Sequence, residues 1–128
     1  MNTTIFVIAN ILTVLLILLF ILTAARGLLD PKSASARYGM QVTDKIGAAF
    51  YRVYISRNIV IVAITALFLV FGYRQQLAIT MTLITLLPLF DLAMVRMVSG
   101  GKANLSFHIL SLVLIGVNAG LLWFTQIG

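Results

Sequence analysis

Asp91 lies inside a stretch otherwise fit to cross a membrane, as the fifteenth residue of the apolar run Leu77–Val98. It is one of three acids in the chain, and the other two, Asp30 and Asp44, fall outside every apolar run. An ionised carboxylate in hydrocarbon costs several kcal/mol, so this one needs a counter-charge, a proton or water. Candidate partners stand elsewhere in the chain: Arg57 in the second apolar run, His108 in the fourth and Arg26 at the end of the first. Together they offer a carboxylate that accepts or gives a proton, a guanidinium that sets its charge or holds an anion, and an imidazole that relays. A single histidine beside a single buried aspartate is a poor metal-ligand set, so no metal is expected. The chain has no cysteine, hence no thiolate chemistry, and it carries no Ser-His-Asp pattern, phosphate loop or cofactor motif.

The elements that must position these groups are legible from composition. The 128 residues are 62% hydrophobic and 9% charged, with a mean hydropathy of +1.12, far from the balance of a soluble domain. Four apolar runs stand out: Ile5–Ala25, Val53–Gly72, Leu77–Val98 and Leu105–Phe124. Each is about 20 residues long, enough for a helix to cross a hydrocarbon core of roughly 30 Å. Lipid admits only helices or closed barrels, and runs this continuous are helices. The expected fold is all-α, a single integral-membrane four-helix bundle spanning residues 1–128. The first run lacks the basic lead-in of a signal peptide and is expected to remain as the first helix.

Net charge +6 would suggest nucleic acid in a soluble protein, but here its distribution reads as topology. Arg26, Lys32, Arg37, Lys45, Arg52 and Arg57 lie between the first two runs or at their near ends, and Arg96 and Lys102 flank the last loop. Only Arg74 lies in the loop between the second and third runs. The positive-inside rule then puts both termini outside and the long first loop in the cytoplasm of a cell whose inner membrane holds the chain. Within that loop Asp30-Pro31 reads as an N-cap with proline at N1, opening a short helix over Lys32–Tyr38 that Gly39 closes on the anionic leaflet. Gly27 suits a left-handed C-cap for the first helix, and Thr43 or Asp44 a cap for a helix running unbroken into the second span.

On this topology Asp91 sits about 5 Å to the cytoplasmic side of mid-membrane, with Arg57 about 8 Å and His108 about 10 Å to the same side. The three levels overlap within side-chain reach. A polar pocket in the cytoplasmic half is therefore expected, edged by Arg26, Tyr54, Arg57, Asp91 and His108. Ser111 and Asn118 continue the His108 arc of the fourth helix as further ligand candidates, or serve as interhelical hydrogen bonds. Pro88, three residues before Asp91, frees the Ile84 carbonyl and bends the third helix. Gly116 and Gly120 form a small-xxx-small pair that permits close helix approach. The Asp91–Arg57 pair reads either as a structural lock between the second and third helices or as a working carboxylate tuned by its arginine.

The run Tyr54-Ile55-Ser56-Arg57-Asn58-Ile59, then Pro88-Leu89-Phe90-Asp91, then His108, resembles a small four-helix family of unknown function loosely grouped with DoxX-like membrane proteins. The Arg26-Gly27, Pro31 and Tyr38-Gly39 positions fit the same pattern. The resemblance implies a DoxX-like four-helix bundle with Arg57, Asp91 and His108 at the matching positions, and it supplies no reaction. Three functions follow as expectations. The first is binding of a lipophilic small molecule, with acid–base chemistry at Asp91. The second is proton-coupled transport by a monomer or homo-oligomer, and the third an accessory role in a larger membrane complex. Membrane lipid is the expected partner and nucleic acid is not.

Overall fold

The computed structural model describes residues 2–126, and every regular element among them is helical. In chain order these are α1 (Thr3–Leu29), α2 (Pro31–Tyr38), α3 (Lys45–Val70), α4 (Arg74–Ile84), α5 (Leu86–Ser99) and α6 (Ser106–Phe124). α1, α3, α4 with α5, and α6 are the four long apolar segments, each of a length and hydropathy that allow it to span a membrane. Their outward faces carry Leu, Ile, Val and Phe side chains in the open, a surface that water disfavours and lipid accepts. The chain is a multi-pass membrane protein.

α1 packs along α3 on one side and along α6 on the other. α4 packs on α6 and also reaches α3, whereas α5 keeps to α6 and has no comparable packing against α3. The break between α4 and α5 falls at Thr85, three residues before Pro88, whose missing N–H cannot meet the Ile84 carbonyl. Thr85 eases the interruption by donating its hydroxyl to the Met81 carbonyl at 2.8 Å. The third membrane segment, Arg74–Ser99, is thus one span whose hydrogen-bond ladder is interrupted at Thr85.

The apolar core follows this division. Leu16 of α1, Leu77, Ala78, Met81 and Ile84 of α4, and Ile115, Ala119 and Leu122 of α6 form one buried cluster, with Ile61, Phe68 and Leu69 of α3 against its edge. α5 contributes none of it. At the α5 end the bundle is held by a few close approaches and by polar contacts.

The first close approach corrects the expected role of Gly27. α1 runs through Gly27 to Leu29 and stops only at Asp30, because a residue preceding proline is pushed out of helical geometry. Gly27 is buried instead against Ile55 of α3, where a Cβ would stand 2.7 Å from Ile55 Cγ1. The remaining caps match the sequence. Asp30 accepts from Ser33 N, Asp44 accepts from Gly47 N, and Gly39 ends α2 in the left-handed region at φ 104°. Gly39 also lies tight on α5, with Val95 Cγ1 2.7 Å from where its Cβ would be. Gly116 makes only ordinary contact with Thr85 and Gly120 faces open space, so that pair draws no helix unusually close.

Candidate functional site

The site grows from the end of α2. Asp30 and Pro31 start this helix, Gly39 closes it, and Ser35 folds the following strand of chain back by accepting from Val42 N at 3.0 Å. Arg52 of α3 donates to the Leu28 carbonyl, tying the start of α3 to the last turn of α1. These short-range ties fix the last residue of α2, Tyr38, with its side chain turned into the gap between α3 and α6.

Tyr38 is the hub. Its ring meets Tyr54 edge-on at 5.5 Å, Tyr51 at 6.3 Å and His108 at 4.5 Å between centroids. Its hydroxyl lies 2.8 Å from the Tyr54 hydroxyl, which in turn donates to Asp91 Oδ2 at 3.0 Å. A tyrosine has one hydroxyl proton, so Tyr54, having given its own to the carboxylate, accepts from Tyr38. The result is a one-way chain of hydrogen bonds from Tyr38 through Tyr54 to Asp91. Burial, and then the neighbouring Asp91 carboxylate and Tyr54, push the Tyr38 phenol well above its usual pKa and keep it protonated.

His108 closes the cluster from α6. Its Nε2 lies 2.7 Å from the Tyr38 carbonyl, and because a carbonyl can only accept, Nε2 carries the proton. The bond serves one of the carbonyls that the end of α2 leaves without an intrahelical partner. With the side chain only 1% exposed, His108 is a buried staple between α2 and α6. Four helices (α2, α3, α5 and α6) therefore meet through Tyr38, Tyr54, Asp91 and His108.

Arg57 does not take the place expected for it. Among the described residues it forms no ion pair with Asp91. It is exposed, one turn beyond Tyr54, donating Nε to the Tyr54 carbonyl at 3.1 Å with its guanidinium 4.4 Å from the Tyr54 ring centre. The reason is helical geometry. Arg57 shares a stripe with Ile46, Phe50 and Val53, and that stripe faces outward, with Ile46 71% and Phe50 72% exposed. Tyr54 sits at its inner edge and takes the contact to Asp91 instead.

The other expected ligand residues lie elsewhere. Arg26 is exposed on the last turn of α1, outside the cluster. Ser111 returns its hydroxyl to the Phe107 carbonyl in its own helix. Asn118 is fully buried nearer the other end of α6, where it donates to Thr13 Oγ1 at 2.9 Å, and its Oδ1 has no hydrogen-bond partner among the described residues. Three of the sequence-derived site residues, Tyr54, Asp91 and His108, are thus brought together. Tyr38 is the member that sequence reasoning missed. Its signal was a tyrosine placed directly before the glycine that ends a short helix, which fixes where the ring begins but not where it points.

Two open clefts lie on the neighbouring surface rather than around Asp91. One of about 640 Å³ is lined by Ala103, Asn104, Leu105 and the Ile109, Leu110 and Val113 face of α6. The other, about 440 Å³, lies between Ala36, Arg37, Gly39, Gln41 and the Ala103-Asn104 loop. Asp91 itself is half-buried, and its Oδ2 accepts from the Tyr54 hydroxyl.

Fold and cluster together define a helical multi-pass membrane protein with a tyrosine-bound carboxylate at the α5 end of its bundle. The family model for the domain of unknown function DUF4267 matches residues 18–122, a range that contains all four cluster residues, and the chain belongs to that family. No curated protein and no solved structure matches it.

Proposed function

We propose that this chain holds an amphiphilic small molecule at the Asp91–Tyr54–Tyr38 cluster in the cytoplasmic half of the inner membrane, and exchanges a proton with it through Asp91. One observation supports the reading above others. The only acid within the membrane segments is hydrogen-bonded by a tyrosine, left unpaired by any described cation, and partly exposed. A carboxylate used only as a lock is better served by a buried arginine, which would satisfy both oxygens. Here the carboxylate stays partly exposed within an apolar span, backed by two hydroxyls that can pass a proton.

In this reading Asp91 is the proton acceptor and donor, Tyr54 orients it, Tyr38 feeds the relay and His108 fixes Tyr38. Arg57, on the outer face of Tyr54, adjusts the local charge. The eight-to-one distribution of Lys and Arg supports both termini outside and α2 lying on the cytoplasmic leaflet. The DoxX-like resemblance agrees with the bundle and adds no chemistry.

The test is mass spectrometry of small molecules that co-purify with the gently extracted protein, for the wild type and for Asp91→Asn. A species present in the first and absent from the second, with folding intact, supports binding. Failure of Asp91→Asn to fold would instead make the cluster a structural lock. Flux in proteoliposomes driven by a pH gradient, with no retained ligand, would favour transport.

A further inference from the structure

Resting on Asp91 as the working group, we propose that the molecule bound there is a cationic amphiphile: a protonated amine or quaternary ammonium carrying an apolar tail. Asp91 brings a negative charge into a region that disfavours it, and no described cation neutralises it. Tyr54 donates to Oδ2, and the carboxylate, still partly exposed, can receive an incoming positive group. Three tyrosine rings stand beside it, with Tyr38, Tyr51 and Tyr54 spaced 5.5 to 6.3 Å between centroids. A carboxylate beside tyrosine rings is the combination that recognises ammonium groups, by charge and by the negative ring faces.

The same elements disfavour the other head groups. An anion would have to approach the Asp91 carboxylate, and the guanidinium that could hold it, Arg57, is on the outward side of Tyr54. A neutral alcohol leaves the carboxylate charge uncompensated. For the tail, Leu87 and Met94 lie one turn to either side of Asp91 on α5 and are exposed. The side of α5 away from α6 lacks close packing by α3. An alkyl chain along that side stays in contact with apolar side chains while the head group reaches Asp91.

Three probes with one tail separate the classes: decyltrimethylammonium, decanoate and decanol, titrated calorimetrically into the protein in maltoside micelles. Saturable binding is expected for decyltrimethylammonium alone, weakened at least about tenfold by Asp91→Asn and retained in Arg57→Gln. Tyr51→Leu, which removes a ring without removing a hydrogen bond, is expected to weaken it several-fold and serves as the second variant if Asp91→Asn does not fold. Asp91-dependent binding of decanoate or decanol in place of the ammonium overturns the cationic class and leaves the Asp91 site standing. So does decanoate binding that Arg57→Gln abolishes, which would identify an anion site. Binding of no probe, or binding that neither Asp91→Asn nor Tyr51→Leu alters, overturns the cationic class and the Asp91 site together.

Discussion

Tyr54 and Asp91 are joined by one hydrogen bond, 3.0 Å from the phenol oxygen to Oδ2, across a part of the bundle where α3 and α5 do not otherwise pack closely. One side-chain hydrogen bond thus links α3 to α5, and a second, from Tyr38, supports it from the loop helix at 2.8 Å.

Removing the bridge should cost more than removing its support. Tyr54→Phe deprives Asp91 of its donor and Tyr38 of its acceptor, and the expected destabilisation is about 1–2 kcal/mol. Tyr38→Phe takes away only the outer donor and leaves the backbone carbonyl that His108 binds, so a loss of about 0.5–1 kcal/mol is expected. Reversible unfolding in mixed micelles measures both. Equal costs for the two variants would mean that the Tyr54–Asp91 bond contributes nothing of its own.

The Gly27–Ile55 crossing makes a sharper steric prediction. A methyl group at position 27 would stand 2.7 Å from Ile55 Cγ1 and 3.2 Å from Ile55 Cβ, atoms near the stiff base of a β-branched side chain. Gly27→Ala should therefore destabilise by about 1–3 kcal/mol through overpacking. Ile55→Ala alone should also destabilise, by leaving a cavity. The double variant should be more stable than the sum of the two costs implies, and a double-mutant cycle reads that coupling. Additive costs would show that α1 and α3 separate freely at this point.

Tyr38 sets an alkaline limit. Its phenol lies outside the membrane-spanning helices, and burial raises its pKa above the ordinary value of 10.0. Below about pH 10 folded and unfolded chains both keep this proton, so Tyr38 adds no pH dependence there. Above it the unfolded chain releases the proton first, and stability falls as pH rises. The alkaline limb of a stability–pH curve should be shallower in Tyr38→Phe than in the wild type. An unchanged limb would show that this phenol ionises in the folded protein as it does in water.

The four apolar spans were legible because they depend on run length and hydropathy, which the chain displays openly. Asp91 and His108 were found by the same means, since an ionisable residue in an apolar run needs no fold to be conspicuous. Arg57 was misassigned because depth fixes the level of a residue and not its azimuth. Its outward stripe of Ile46, Phe50 and Val53 was visible, but an apolar stripe on a membrane helix suits lipid and core alike. Gly27 looked like a cap because it follows the last apolar residues, whereas the chain does not turn until the Asp30–Pro31 step. Tyr38 lay beyond sequence reasoning. Its position depends on how an eight-residue helix docks, and that is settled by Gly39 against Val95 and by His108 from a segment 70 residues away.

His108 offers the most direct test of that docking. Its Nε2–H bond to the Tyr38 carbonyl at 2.7 Å is the link from α6 to the end of α2. His108→Leu fills comparable space but leaves the carbonyl without a donor, at an expected cost of about 1–3 kcal/mol. His108→Gln can place an amide N–H near the same carbonyl and should recover part of that cost. Because α2 and its following loop are attached elsewhere by few bonds, the loss should be local. Limited proteolysis at Lys32, Arg37 and Lys45 should speed up in His108→Leu, less so in His108→Gln, with the α1–α4–α6 core unaffected. Unchanged cleavage in His108→Leu would mean that Gly39 and the tyrosine rings hold α2 in place without the histidine.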